Sequence, residues 1–336
     1  MDLKQLLDYD NIIIQCHNTP DADALACGFV LLDFFRSKDK NAMFIYGGQY
    51  EVKKSNLVMM MDELGIEAYH VKKQEDLSRL LRLKENEIPD LLLMVDCQRQ
   101  GGNIQDFEAR EYAVIDHHVL TKPQPPLSEI RPELESCATL VWDMVSSQGV
   151  DINQDSRLAT ALYYGLMTDS GNFAQVAQDS LDSQMRDTLN FDPHLINRFK
   201  SSNISQEDLK IAAVALLGAE YYSDHRYAIV KAEPCDPNVL GIVSDIVVEV
   251  DNIECCLCYT MSDMGVKISV RSCINELKAN ELAAFICQDV GDGGGHVIKA
   301  GGFIERKLLE KKIGKYNLIR VQDYCRQKMR EYFAMP

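Results

Sequence analysis

The stretch NIIIQCHNTPDADALACGF, residues 11–29, decides how the chain is read. Its first six residues form a near-continuous apolar run, as expected of a strand buried on both faces. Its last part, from Ala22, has the alanine-rich pattern of a helix. Between them lies a turn holding His17, Asp21 and Asp23. One aspartate there is an ordinary helix cap. A histidine and two aspartates in one turn call for a further reason.

Working outward, the same alternation recurs. Further apolar strand candidates are 41–47, 67–71, 91–96 and 112–117, with helical patterns such as 22–37 and 75–83 between them. Strand–helix alternation with continuous apolar strands predicts an α/β fold, a parallel sheet with helices on both faces. A Pro-rich loop, TKPQPPLSEIRP (121–132), precedes two helical stretches at 137–149 and 156–171. A polar helical stretch then leads to β-rich runs at 226–232, 253–263 and 265–272. SDMG (262–265) between the last two is a hairpin signal. A helix at 280–290, a glycine-rich loop at 291–295 and a terminal helix at 320–333 complete the pattern. The expected organisation is a parallel-sheet domain 1–185, a helical connector 186–220 and a smaller α/β domain 221–336.

The chain has 336 residues, 46% hydrophobic and 26% charged, enough for about two globular cores. No span reads as transmembrane, and the acidic N-terminus does not read as a secretory signal. The 11 cysteines are scattered through apolar stretches, the pattern of buried thiols in a reducing cytoplasm. Cys255 and Cys258 form an isolated C-x-x-C in a strand-like run, where burial is the favoured reading over zinc or redox chemistry. The net charge of −16 argues against a partner that is long nucleic acid. Any phosphate is expected to be handled in a local pocket, on a short substrate.

In doubly wound sheets functional groups gather beyond the carboxyl ends of the strands. His17, Asp21 and Asp23 follow the first strand, Asp96 ends the fourth, and Asp116, His117 and His118 end the fifth. Asp169 closes an apolar helical run. Carboxylates so crowded need compensation, most simply by divalent cations. Asp21 and Asp23, two residues apart, point in different directions and can serve different ions, and Asp96 can bridge both. Oxygen and imidazole ligands without thiolate favour Mn²⁺ or Mg²⁺ over structural Zn²⁺.

HNTPDADA (17–24), VDC (95–97), VIDHH (114–118) and GLMTDSGNF (165–173) together resemble the motifs of the DHH phosphoesterase family. GDGGGHVIKAGG (291–302) is similar to the GGGH motif of the domain that accompanies it. The resemblance runs from about residue 11 to 305. It implies one ion held by His17, Asp21 and Asp96, and a second held by Asp23, Asp96, His117 and Asp169. It further implies that His118 faces the scissile phosphate, that Asp116 orients a histidine, and that ESCAT (135–139) starts a helix near the site. Ala22 stands where the family commonly has glycine.

The second domain is expected to grip the substrate. Gly293, Gly294 and Gly295 allow close backbone approach to phosphate oxygens, with His296 and Lys299 beside them. Arg271, at a strand end, suits bidentate phosphate contact, and Asn280 is either a helix cap or a contact. The resemblance implies a phosphoesterase acting on short oligoribonucleotides, linear dinucleotides such as pApA, or the 3′,5′-bisphosphate pAp. Alternatives are a cyclic-dinucleotide phosphodiesterase, a pyrophosphatase or exopolyphosphatase, and a non-catalytic nucleotide-binding module. A cytoplasmic location is expected, and a homodimer stays open.

Overall fold

The computed structural model describes all residues except 83, 85, 86, 121, 203, 236, 275, 335 and 336, and the side chains of 237 and 238. The chain divides into two compact units, Met1–Asn203 and Ile204–Pro336.

The first unit runs β1 (Asn11–Cys16), α1 (Ala22–Arg36), β2 (Asn41–Tyr46), α2 (Ser55–Leu64), β3 (Ala68–His70), α3 (Gln74–Leu80), β4 (Leu91–Val95), β5 (Glu111–Asp116) and β6 (Leu127–Ile130). Helices α4 (Cys137–Ser146), α5 (Ser156–Asp169), α6 (Leu181–Thr188) and α7 (Pro193–Ser201) follow. The six strands form one sheet in the order β3-β2-β1-β4-β5-β6, and every pairing is parallel. Successive residues of each strand serve opposite faces. Ile12, Ile14, Phe44, Leu93 and Ile115 join the core built with α1, α4 and α5. Ile13, Ile45, Leu92 and Val114 join a second core with Leu77 and Phe107. Burial on both faces explains why these strands lack a polar alternation. The strand order reverses between β1 and β4, which opens a crevice at their carboxyl ends.

The Pro-rich segment is not all loop, as its composition suggested. Leu127–Ile130 pairs with β5 as an edge strand. Three prolines precede it and its side chains are half-buried, so it carries no apolar signature. The division between the units falls inside the stretch 186–220. Ile196 and Phe199 of α7 are buried in the first unit's core. Ala212 and Ala215 of the next helix belong to a core of the second.

That second unit contains α8 (Gln206–Leu217), β7 (Glu220–Tyr222), β8 (Tyr227–Ala232), α9 (Pro237–Val247), β9 (Cys255–Met261), β10 (Gly265–Ser272), α10 (Ala279–Cys287), β11 (Gly291–Gly295), β12 (Lys299–Glu305), α11 (Arg306–Ile313) and α12 (Leu318–Phe333). Its sheet has the order β11-β12-β10-β9-β8-β7. Only β8 and β9 pair in parallel; the other neighbours are antiparallel. The hairpin expected at SDMG joins β9 to β10. Cys255 and Cys258 fall on opposite faces of β9, one in each of two separate cores. Two thiols so placed cannot share a metal ion or form a disulfide. Among the described helices, none is long and apolar enough to cross a membrane.

Glu220 ties edge strand β7 to α12. It accepts from Arg326 Nε and Nη2 at 2.8 and 2.7 Å, from Gln322 at 2.6 Å and from the Tyr222 hydroxyl at 3.0 Å. The Arg326 bonds hold its carboxyl below the usual range, outweighing partial burial. A lowered acid adds stability that is complete above its unfolded value, near 4.3, and is lost as pH falls through the folded value. Glu220→Gln is therefore expected to cost about 1 kcal/mol at neutral pH, discounted for partial exposure. Its Tm deficit, followed from pH 7 to pH 3, should shrink toward zero. A constant deficit would show a packing effect instead.

Candidate metal centre

The turn after β1 delivers its side chains separately because α1 starts inside it. Asp21 is the N-cap of α1: Oδ1 accepts from the Ala24 N–H at 3.0 Å. Its other oxygen lies 3.7 Å from His17 Nε2. Asp23, already helical and 1% exposed, turns inward. Its two oxygens accept from the Cys137 and Ala138 N–H groups, at 2.7 and 2.9 Å, at the start of α4. The segment ESCAT thus meets the site through its main chain. Gly165 of α5 leaves the space, since a Cβ there would stand 2.9 Å from Asp23 Oδ1.

Asp96 sits between the two histidines that precede and follow it. One oxygen is 3.5 Å from His17 Nε2 and the other 3.5 Å from His117 Nε2. Its backbone lies in the left-handed region, φ +55°, held by its N–H to the Ile115 carbonyl at 3.0 Å. Such strain is sustained where the surroundings fix the residue. Asp96 Oδ1 is buried, and among the described residues none donates a hydrogen bond to it. A buried carboxylate oxygen left so is costly unless a cation occupies its front.

His117 Nδ1 meets the Leu134 carbonyl at 3.1 Å, so it carries the proton and turns the lone pair of Nε2 inward. That nitrogen lies 3.2 Å from Asp169 Oδ2 and 4.0 Å from Asp23 Oδ2. His17, Asp21 and Asp96 offer one group of mutually close ligand atoms, and Asp23, Asp96 and His117 another. The donor set fits two hard or borderline cations sharing Asp96.

Burial pushes the Asp23 carboxyl up, reinforced by Asp96 and Asp169. Burial raises Asp96 too, against the bond from His17. Burial alone would lower His17, but Asp21 and Asp96 outweigh it and carry it to about 10. Protons and cations therefore compete for these atoms.

Asp116 stands one layer back and is fully buried. Its Oδ1 accepts from His118 Nδ1 at 2.8 Å and its Oδ2 from Gln98 Nε2 at 2.8 Å. Nothing in the sequence pattern marks Gln98.

In the second unit the glycine-rich segment is a strand, not a loop. A Cβ on Gly291 would come within 1.9 Å of the Phe303 carbonyl oxygen, and one on Gly293 within 2.4 Å of the Ala283 oxygen. Gly295 has φ +136°. Close packing against β12 and α10 accounts for these three. Gly294 alone of the segment faces open space. Gly293→Ala should cost ~1–3 kcal/mol, read as a lower Tm. Gly294→Ala should leave Tm within about 0.5 kcal/mol, so any rise in its KM reports ligand contact. Equal loss of stability in both would contradict this placement.

Arg271 pairs across the sheet with Lys299, whose carbonyl accepts from the His296 N–H at 2.7 Å. Its guanidinium is engaged: Nε donates to Asp245 of α9 at 2.6 Å and Nη1 to Ser269 at 3.2 Å. Asn280 lies in the first turn of α10, its side-chain oxygen accepting from the Glu281 N–H at 2.9 Å.

Residues 11–166 match the DHH family, N-terminal domain. That match falls within the first unit, so it is this part of the chain that is similar to the DHH family. Over 330 residues the chain is 22% identical to the uncharacterized protein MJ1633 of Methanocaldococcus jannaschii, covering 96% of this chain and 64% of that protein. Over 183 residues it is 25% identical to the cyclic-di-AMP phosphodiesterase GdpP of Geobacillus thermodenitrificans, covering 51% and 26%. The chain thus spans less than two thirds of the length of these curated relatives. Among solved structures, an exopolyphosphatase-related protein from Bacteroides fragilis has a TM-score of 0.76 at 18% identity, covering 98% of this chain and 95% of the other. The exonuclease RecJ bound to manganese has 0.50 at 16%, covering 97% and 95%. Both likenesses concern the fold.

Proposed function

We propose that this chain is a metal-dependent phosphoesterase that hydrolyses very short phosphorylated nucleotides to nucleoside monophosphates. The observation that carries the reading is Asp96, a buried carboxylate set between two histidines, one of whose oxygens accepts no hydrogen bond among the described residues. His17, Asp21 and Asp96 would hold one cation, and Asp23, Asp96, His117 and Asp169 the other, with Mn²⁺ favoured and Mg²⁺ the alternative. Such ions, when bound, acidify a water and offset charge on phosphoryl oxygens.

The chain's own groups do the rest. The Leu134 carbonyl fixes the His117 tautomer. Asp116 holds the His118 Nδ1 proton, so His118 exchanges a hydrogen bond or proton with a phosphate or leaving-group oxygen through Nε2. Asp21 serves the helix start and the site at once, which fixes its rotamer. In the second unit, Gly294, His296, Lys299 and Arg271 would bind phosphate groups of a nucleotide. Arg271 would do so through the part of its guanidinium that Asp245 leaves exposed.

Two observations favour short nucleotides. The net charge of −16 disfavours a long polyanion. Half of the chain is also similar to a protein named as a cyclic-di-AMP phosphodiesterase, and that similarity supports a second reading in which the dinucleotide is cyclic. A panel of pApA, pAp, cyclic di-AMP, inorganic pyrophosphate and long single-stranded DNA, assayed with Mn²⁺, tests both. Turnover of pApA or pAp with little of the others is the expected outcome. Preference for cyclic di-AMP would select the second reading. Turnover of pyrophosphate alone, or tight nucleotide binding with no turnover, would overturn both.

A further inference from the structure

The loops after β4 and β5 are sewn together by side chains that the metal centre does not use. The Arg99 N–H donates to Gln124 Oε1 at 3.0 Å, and Lys122 Nζ donates to the Gln100 carbonyl at 2.8 Å. Arg99 also lies over the Tyr112 ring, 3.8 Å from its centre. These contacts are on the exposed side of the loops. Gln98 reaches the other way and is only 5% exposed. Its Nε2 lies 2.8 Å from Asp116 Oδ2, 3.1 Å from the His118 carbonyl and 3.3 Å from the Val119 carbonyl. One amide thus holds a buried carboxylate and the main chain of the turn that carries His118.

We infer that Gln98 is a positioning residue that holds Asp116 in the rotamer that fixes the proton of His118 on Nδ1. Asp116 has two oxygens, and each has one task. Oδ1 takes the His118 Nδ1 proton, and Oδ2 takes the Gln98 amide proton. Without the amide, Oδ2 is a fully buried anionic oxygen with a donor removed, which costs of the order of 1–3 kcal/mol. Rotation of Asp116 toward another donor would relieve that cost and release His118. The imidazole would then carry its proton on either nitrogen. Gln98 acts through Asp116, whose Oδ2 it bonds at 2.8 Å, on the carboxylate whose other oxygen meets His118 Nδ1.

The inference rests on the proposed hydrolytic role of His118, but part of its test does not. In full-length protein prepared without metal, ¹⁵N-histidine spectra at alkaline pH report which ring nitrogen carries the proton. His118→Gln identifies the signal. Wild type should show the Nδ1–H form at His118, and Gln98→Met should lose it in favour of Nε2–H. An unchanged tautomer in a folded Gln98→Met protein would overturn the inference, whatever the substrate proves to be. With the best substrate of the panel, Gln98→Met should lower kcat about 10–100-fold, with KM and Mn²⁺ affinity within about threefold. Gln98→Glu keeps the shape but faces Asp116 with an acceptor, so it should be worse than Gln98→Met. Gln124→Ala loosens the same loops without touching Asp116 and should keep near-normal kcat. Equal losses in Gln124→Ala and Gln98→Met would show that loop integrity is all that matters. A Gln98→Glu protein as active as wild type would show that Gln98 merely fills space.

Discussion

Asp96→Asn should abolish nearly all activity while leaving the fold intact. The carboxylate lies between His17 and His117, 3.5 Å from a ring nitrogen of each. Asparagine replaces one oxygen with an NH₂ group, which directs hydrogens at a position proposed for a cation. Both cations should weaken together, because both share this residue. A loss of at least about 10³-fold in kcat is expected, roughly 4 kcal/mol of barrier. Stability should not follow. Asparagine tolerates the left-handed backbone at φ +55°. Burial is the main cause of the raised Asp23 carboxyl, and the substitution removes the Asp96 charge that adds to it. Turnover and Tm measured on one preparation check the claim. Near-normal turnover would remove the shared-ligand arrangement from consideration.

Gly28→Ala is expected to destabilise the first unit although alanine is the better helix former. In the middle of α1 alanine would ordinarily gain about 1 kcal/mol over glycine. Here its Cβ would stand 2.1, 2.2 and 2.5 Å from three atoms of the Phe44 ring. That ring is fully buried on β2, beneath α1, and has little room to retreat. The net cost should be ~1–3 kcal/mol, a Tm lower by several degrees. Adding Phe44→Leu should recover part of the loss, so the double variant loses less than the two single changes together. A higher Tm for Gly28→Ala would mean that helix and sheet are not packed this closely.

The strands that carry the site were legible because burial on both faces leaves unbroken apolar runs, as in residues 11–16 and 91–95. The aspartates and histidines were legible because each follows such a run. Edge strand β6 was not, since half-buried positions after prolines look like loop. Strand β11 was not, because glycines have no side-chain alternation to read. The C-x-x-C motif lost its chemistry once the pleat sent Cys255 and Cys258 to opposite faces. Contacts made through main chain had no side-chain signal: nothing marked the Leu134 carbonyl on His117, and ESCAT was expected near the site without its Cys137 and Ala138 N–H groups being assigned to Asp23. Gln98 stayed invisible because a glutamine two residues after a ligand is unremarkable until Asp116 is seen beside it.

Asp21 and Asp23 show how three-dimensional structure refines a pattern. The two are two residues apart and face different side chains, Asp21 at 3.7 Å from His17 and Asp23 at 4.0 Å from His117, and each also serves the helices. Asp21 caps α1, while Asp23 receives the first N–H groups of α4. Two helix starts therefore fix the two carboxylates, which makes their rotamers a property of the fold rather than of a loop.

Two cations would share Asp96, so their number per chain is the decisive quantity. Mn²⁺ titrated into the full-length protein, followed by calorimetry and by electron paramagnetic resonance, should give two ions per chain with the magnetic coupling of a bridged pair. Asp96→Asn should lose that coupling. A single uncoupled ion in the wild-type protein, or no binding at millimolar Mn²⁺, would contradict the account.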